Sequence, residues 1–206
     1  MNHLKKLLYP LGKKHKKHNQ FIGWSFVSNI LVSAESVIAT HSMLHSINTD
    51  SEMTRTMNYV GKDIIGQIGG LFYLANIGKK IDQKPEKFLL YSNIIQQGSF
   101  LSITMTPFTP EYFLVIAGAS NILSNISFTS YGAINAKCIQ KLSLSDNVGE
   151  IYAKVSIVNT MGSSIGLLLG LFITMKVPDH SGRLMILPFL GIFRVYSFQR
   201  AIKNLV

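Results

Sequence analysis

Charge is scarce in this chain. Asp, Glu, Lys and Arg make up 15% of the 206 residues, against about 25% in an average soluble domain. Cysteine is scarcer still: Cys138 stands alone, which excludes an intrachain disulfide framework and any multi-cysteine zinc cluster. Catalytic signatures are missing as well. The sequence has no Walker loop, dinucleotide fingerprint, metalloprotease helix or Ser/His/Asp triad order. A non-enzymatic protein without a cofactor is therefore expected. What the chain does have is apolar bulk, at 47%, and a basic excess of 20 Lys and Arg over 10 Asp and Glu, for a formal charge of +10. Apolar content at that level excludes intrinsic disorder, which combines low hydrophobicity with high net charge.

The few charges are unevenly placed. Phe88–Pro110 runs 23 residues without one, Tyr112–Ala136 runs 25, Val155–Met175 runs 21, and Ile64–Gly78 a shorter 15. His18–Thr49 holds a single charge, Glu35, in 32 residues. About 20 mostly apolar residues suffice for a helix to cross the hydrocarbon of a bilayer. These runs carry many Ser, Thr, Asn and Gln residues, a composition suited to helices that pack on one another or line a polar cavity. Turn-type clusters at Asn48–Ser51, Pro85, Thr106–Pro110, Ser143–Asn147 and Pro178–Gly182 divide the chain. The spacing predicts six helices, over about 19–46, 62–79, 87–105, 111–140, 147–175 and 184–205. The expected fold is all-α: a polytopic membrane helical bundle of about six transmembrane helices. A basic N-terminal segment (1–18) precedes a single helical membrane domain (19–206).

Charge asymmetry predicts orientation. Six spans put the N-terminal segment, the 2–3 and 4–5 loops and the tail on one side, with sixteen Lys and Arg there, Arg194 counted in the tail, against Arg55, Lys62, Lys176 and Arg183 opposite. Such a bias is what positive-inside insertion produces, with both termini inside. The run Lys13-Lys14-His15-Lys16-Lys17-His18 has no interleaved aromatics, so anchoring to anionic lipid is expected rather than nucleic-acid binding. The N-terminal segment has neither the Arg and Ser of a transit peptide nor an Ala-x-Ala cleavage pattern, and it is read as an uncleaved part of the protein.

Several strings carry a resemblance. They begin with Trp24-Ser25-Phe26-Val27, Ser33-Ala34-Glu35-Ser36, Thr40-His41-Ser42-Met43-Leu44 and Lys62-Asp63-Ile64-Ile65-Gly66-Gln67. Gly78-Lys79-Lys80-Ile81-Asp82, Ala117-Gly118-Ala119-Ser120-Asn121, Gly132-Ala133-Ile134-Asn135-Ala136-Lys137 and Asn147-Val148-Gly149-Glu150-Ile151-Tyr152-Ala153-Lys154 follow in order. As an ordered set over about 20–200, the chain resembles the root UVB sensitive family, membrane-associated proteins of unsettled activity. The resemblance implies a part in ultraviolet-B response and seedling development, links to vitamin B6 status, and homo- or hetero-oligomers with a family member. Family members carry a longer N-terminal lead, of which Leu7-Leu8-Tyr9-Pro10 resembles a remnant, and a further C-terminal region; activity residing there does not carry over. Vitamin B6 suggests a Schiff-base lysine, but Lys137 and Lys154 have no glycine-rich phosphate cradle beside them.

A second likeness is architectural. Gly78-Lys79-Lys80-Ile81-Asp82-Gln83-Lys84-Pro85-Glu86-Lys87 is similar to the loop motif of major facilitator transporters, Gly-x-x-x-Asp followed by basic residues, with Gln83 and Pro85 replacing the usual Arg and Gly. Gly78, Asp82 and Lys87 are candidates for an inner gate or brace. Six helices with this loop inside resemble one half of such a transporter.

Candidate site residues follow from polarity inside apolar runs. Glu35 is costly in a membrane, and two readings are open: a proton, cation or cationic-substrate site, or a protonated packing residue bonded to Ser33, Ser36 or Thr40. Asn93 with Gln97, and Asn121 with Asn125, each share a helix face; they either line a small-molecule site or bond between helices. His41 and His45 also share a face, but two imidazoles need a third ligand to hold zinc. An interfacial polar pair is the expected reading, and no metal. Gly66 and Gly70, and Gly162, Gly166 and Gly170, recur at a four-residue spacing that lets helix backbones approach. The function expected is small-solute handling in a membrane or support of a stress-response complex. A membrane scaffold without transport, or a soluble basic helical domain, are the alternatives.

Overall fold

Local chemistry sets most of the helix ends. Ser51 accepts a hydrogen bond from the Thr54 backbone N–H and Asp179 accepts one from that of Gly182, each capping a helix that starts at the next residue. Pro85 occupies the first turn of another, where its missing N–H costs nothing. A computed structural model describes residues 15–48, 51–144, 146–203 and 205. Six helices lie among them: α1 (His18–Ser46), α2 (Glu52–Gln83), α3 (Pro85–Thr104), α4 (Phe113–Leu142), α5 (Val148–Lys176) and α6 (His180–Ile202). Two 3-10 turns, Thr106–Phe108 and Pro110–Tyr112, carry the chain from α3 to α4. No strand occurs among the described residues. Most of the basic segment 1–18 lies outside the described residues.

The all-helical expectation holds, and five of the six boundaries fall within about four residues of those expected. The exception is α2, which begins at Glu52 rather than near residue 62. Its first turns carry Glu52, Arg55, Lys62 and Asp63, so the charge-free run Ile64–Gly78 marks only its later part. Three helical stretches, His18–Ser46, Pro110–Leu142 and Val148–Lys176, are long and apolar enough to cross a membrane.

Helix α1 packs on α5 and α6, α4 packs on α2 and α3, and α3 also meets α6 and α1. Glycines set two of these seams. A Cβ at Gly170 would lie 2.7 Å from the Ala34 carbonyl, one at Gly162 would lie 2.8 Å from the Phe26 carbonyl, and one at Gly166 would strike the Ile30 carbonyl. Only hydrogen at these positions lets α1 and α5 come so close. On α2, Gly66 and Gly70 receive the side chains of Asn121 and Asn125 in the same manner.

Polar side chains are buried beside the apolar core, and large apolar ones lie outside. Glu35, Arg194, Ser42, Ser120 and Ser130 are all at most 3% exposed. Outward faces instead carry Phe128, Leu168, Phe172, Met175, Phe189 and Phe193. Along the bundle axis, one end is an apolar cluster that includes Phe21, Leu89, Ile134, Ile151 and Phe198, and the other holds Met43, Ile47, Phe113 and Ala117. The polar side chains gather between them.

Candidate functional site

The middle of the bundle is organised by Arg194. Its Nε–H donates to Glu35 Oε2 at 2.6 Å, Nη1 to Asn93 Oδ1 at 2.9 Å, and Nη2 to the Asn93 carbonyl at 3.2 Å and Gln97 Oε1 at 3.0 Å. The four hydrogen bonds tie α6 to α1 and α3. Gln97 in turn donates through Nε2 to the Leu187 carbonyl on α6 at 3.0 Å, packed against Gly191. A guanidinium has five donors in a fixed fork, which suits it to gathering several acceptors at one point. Glu35 Oε1 has no hydrogen-bond partner within bonding distance among the described residues.

Glu35 has a partner that neither reading of it named. Ser33, Ser36 and Thr40 do not hold it; a cation from the far end of the chain does. The pairing also corrects the placement of Arg194, assigned above to the inner tail as a topology charge. Arg194 lies 14 residues into α6 and is 3% exposed, at the centre of the bundle. Lys62, counted among the opposite-side charges, is likewise inside a helix and 7% exposed. A carboxylate buried in an apolar helix commonly pairs with a cation, and Arg194 is the sole Lys or Arg between Arg183 and Arg200; that signal was available in the sequence.

Beside the Arg194 cluster is a cavity of about 430 Å³. Hydroxyls and amides form much of its wall: Ser28, Asn29, Ser33 and Ser36 from α1, Ser92, Asn93 and Gln96 from α3, and Asn121, Ser124, Asn125 and Ser127 from α4. Phe100, Phe128, Tyr131 and Phe198 add aromatic faces. Arg194 reaches the wall with its charge already balanced by Glu35, so the cavity is polar but close to neutral. Of the five candidate binding residues, Asn93, Asn121 and Asn125 line it, whereas Glu35 and Gln97 stand behind Arg194. Interhelical bonds occupy part of the polar set. Asn121 Nδ2 donates to Asp63 Oδ1 at 2.9 Å and to the Lys62 carbonyl at 3.1 Å, and Ser127 donates to the Ser92 carbonyl at 2.7 Å.

The remaining candidates lie elsewhere. Gly78 is within α2, one turn before Asp82. Asp82 meets Lys137 of α4, whose Nζ is 2.7 Å from the Asp82 carbonyl and 3.7 Å from Oδ1. Lys87 is on the first turn of α3 and lines a separate groove with Arg200 and Lys203. Asp82 and Lys87 thus have different surroundings. At the opposite end, His41 Nδ1 accepts from Arg183 Nη1 at 2.7 Å, and His45 meets the ring of His180 at a centroid distance of 4.4 Å. The two histidines are thus joined to different partners on α6, and no group of three or more metal-ligating side chains occurs among the described residues.

An all-helical bundle with glycine-lined seams, apolar outer faces and a polar, charge-paired centre defines the class of this protein. The chain belongs to the root UVB sensitive family: residues 14–206 match the family model described as the vitamin B6 photo-protection and homoeostasis domain. It is similar to protein root UVB sensitive 4 of Arabidopsis thaliana, 28% identical over 182 residues, covering 86% of this chain and 35% of that protein. It is similar also to root UVB sensitive 3 of the same plant, 22% identical over 189 residues, covering 89% of this chain and 43% of that protein. The chain therefore spans less than half the length of these curated relatives. No solved structure matches it.

Proposed function

We propose that the protein is an integral membrane protein of the root UVB sensitive type, non-enzymatic, whose central cavity takes a small uncharged polar solute. In this reading residues 19–206 form a single helical membrane domain of six spans with both termini inside, resembling one half of a major facilitator transporter. Its basic N-terminus lies against anionic lipid, and it assembles with itself or another family member. The observation that carries the reading is the cavity beside Arg194: lined by serines, amides and aromatic rings of α1, α3 and α4, with Arg194 paired to Glu35. Hydroxyl and amide groups in an apolar bundle suit a solute that exchanges hydrogen bonds with them, and the balanced ion pair disfavours a solute of net charge. The outward Phe, Leu and Met side chains of α5 and α6 support a lipid surround and oppose the soluble alternative. Because the family is described by vitamin B6 homoeostasis, pyridoxine, neutral and hydroxylated, belongs among the first solutes tried.

The test is solute uptake by proteoliposomes across a panel of small uncharged polar compounds, with Ser124→Leu as the variant that fills the cavity. Uptake above protein-free vesicles, lost in the variant, is the expected result; uptake equal to protein-free vesicles for every compound overturns transport. One observation favours the scaffold alternative: Gln96, Ser99, Asn121 and Ser127 all bond to neighbouring helices. Under that alternative neither the unaltered chain nor Ser124→Leu takes up solute above protein-free vesicles.

A further inference from the structure

The end of α6 and the start of α3 form a second recess, of about 530 Å³. Lys87, Arg200 and Lys203 stand around it, with Glu86 as its one acidic side chain, and Leu89, Leu90 and Ile202 line its apolar part. None of the three cations forms a salt bridge among the described residues, in contrast to Lys137, which meets Asp82. Arg200 is nevertheless held in place. Its Nε–H donates to the Tyr196 hydroxyl at 3.0 Å, and its guanidinium carbon lies 5.5 Å from the Tyr196 ring centre and 5.9 Å from that of Trp24. Trp24 and Tyr196 themselves meet edge to face at 5.8 Å. Aromatic rings beside basic side chains at helix ends are the composition of a membrane's headgroup level.

We infer that this groove binds one anionic phospholipid, its phosphodiester at Lys87, Arg200 and Lys203 and its acyl chain along Leu90 and the Tyr196 ring. The inference rests on the membrane reading above. An amphipathic ligand suits a recess that sets three cations and one carboxylate beside an apolar wall: a free phosphate leaves the wall bare, and a neutral lipid leaves the excess positive charge without a counter-charge. Arg200 can engage the phosphate with its remaining donors while Nε stays on Tyr196. The stacking on two rings fixes the side chain before the lipid arrives, which lowers the ordering cost of binding. Basic pockets between helices on the positive face are sites of this kind. Lys17 of the N-terminal lysine run reaches the rim of this groove, its Nζ donating to the Lys203 carbonyl at 3.3 Å.

The experiment is native mass spectrometry of the full chain in non-ionic detergent, supplied with phosphatidylglycerol or phosphatidylcholine at equal concentration. One phosphatidylglycerol is expected to be retained in preference to phosphatidylcholine. Lys87→Gln, Arg200→Gln and Lys203→Gln each lower that preference, by about fivefold per cation. Glu86→Gln raises it, a gain that no folding defect produces, and Lys137→Gln leaves it unchanged. Equal retention of the two lipids overturns the proposal. So does a loss in Lys137→Gln as large as in Arg200→Gln, which reports diffuse charge, or binding of inorganic phosphate with the same variant dependence. A chain that is monodisperse without detergent defeats the membrane reading itself; one that requires detergent but shows no lipid preference defeats only this site.

Discussion

Arg194, in the middle of the last helix, donates to Glu35, in the middle of the first, at 2.6 Å. The two residues are 159 positions apart and both are buried. Each makes the other tolerable in an apolar interior. Removing one partner of a buried pair leaves a charge without compensation, which costs about 3–5 kcal/mol. Glu35→Leu and Arg194→Leu are each expected to destabilise by that amount in thermal unfolding. The double variant loses less than the sum, because the second substitution removes the orphaned charge. Additive losses would sink the pairing.

The glycine seam makes a sharper prediction about packing. Gly166→Ala drives a methyl into the Ile30 carbonyl of α1, and overpacking of this kind costs about 1–3 kcal/mol. Gly98 and Gly132, also within helices, have open space where a Cβ would go. Alanine there is expected to stabilise by about 0.5–1 kcal/mol, since it removes the entropic cost of a helical glycine. Melting temperatures of the three variants check this: a fall for Gly166→Ala and a rise for the other two. The same sign at all three positions overturns the seam.

Asp82→Asn separates brace from gate. Asp82 is 79% exposed and its carboxylate is 3.7 Å from Lys137 Nζ, while the stronger contact runs to its backbone carbonyl and survives the substitution. An exposed pair contributes about 0–1 kcal/mol, so the melting temperature is expected to stay nearly unchanged. A change in solute uptake by this variant, with stability intact, supports a gating part for the α2–α3 corner. A fall in stability as large as that of Glu35→Leu contradicts this account.

Five helices were legible from charge-free runs and turn clusters because these are local properties: a helix end needs a cap, a proline or a break in the apolar run, all within a few residues. The start of α2 was missed for a related reason. Ser51 is an ordinary N-cap, but the helix it opens is charged in its first turns, so the criterion that worked elsewhere pointed ten residues too far along. The family was legible too, through strings in order over nearly the whole length.

Within the site, sequence spacing correctly put Asn93 with Gln97 on one helix face and Asn121 with Asn125 on another. It had no means of telling which face meets which neighbour. Glu35 stood out by its isolation, yet Arg194 was taken for an inner-side topology charge, since a basic residue near the end of a chain looks the same whether it faces headgroups or a buried carboxylate. The sequence by itself determined that this protein is helical, apolar, basic and a member of its family, because composition and short-range order carry those properties. Only the tertiary structure decided that Glu35 meets Arg194, that Asn93, Asn121 and Asn125 share a cavity wall, and that Lys87 joins Arg200 and Lys203 rather than Asp82. Those pairings depend on how the helices are rotated and stacked. That arrangement is set jointly by glycine contacts and buried polar groups contributed by segments far apart in the chain.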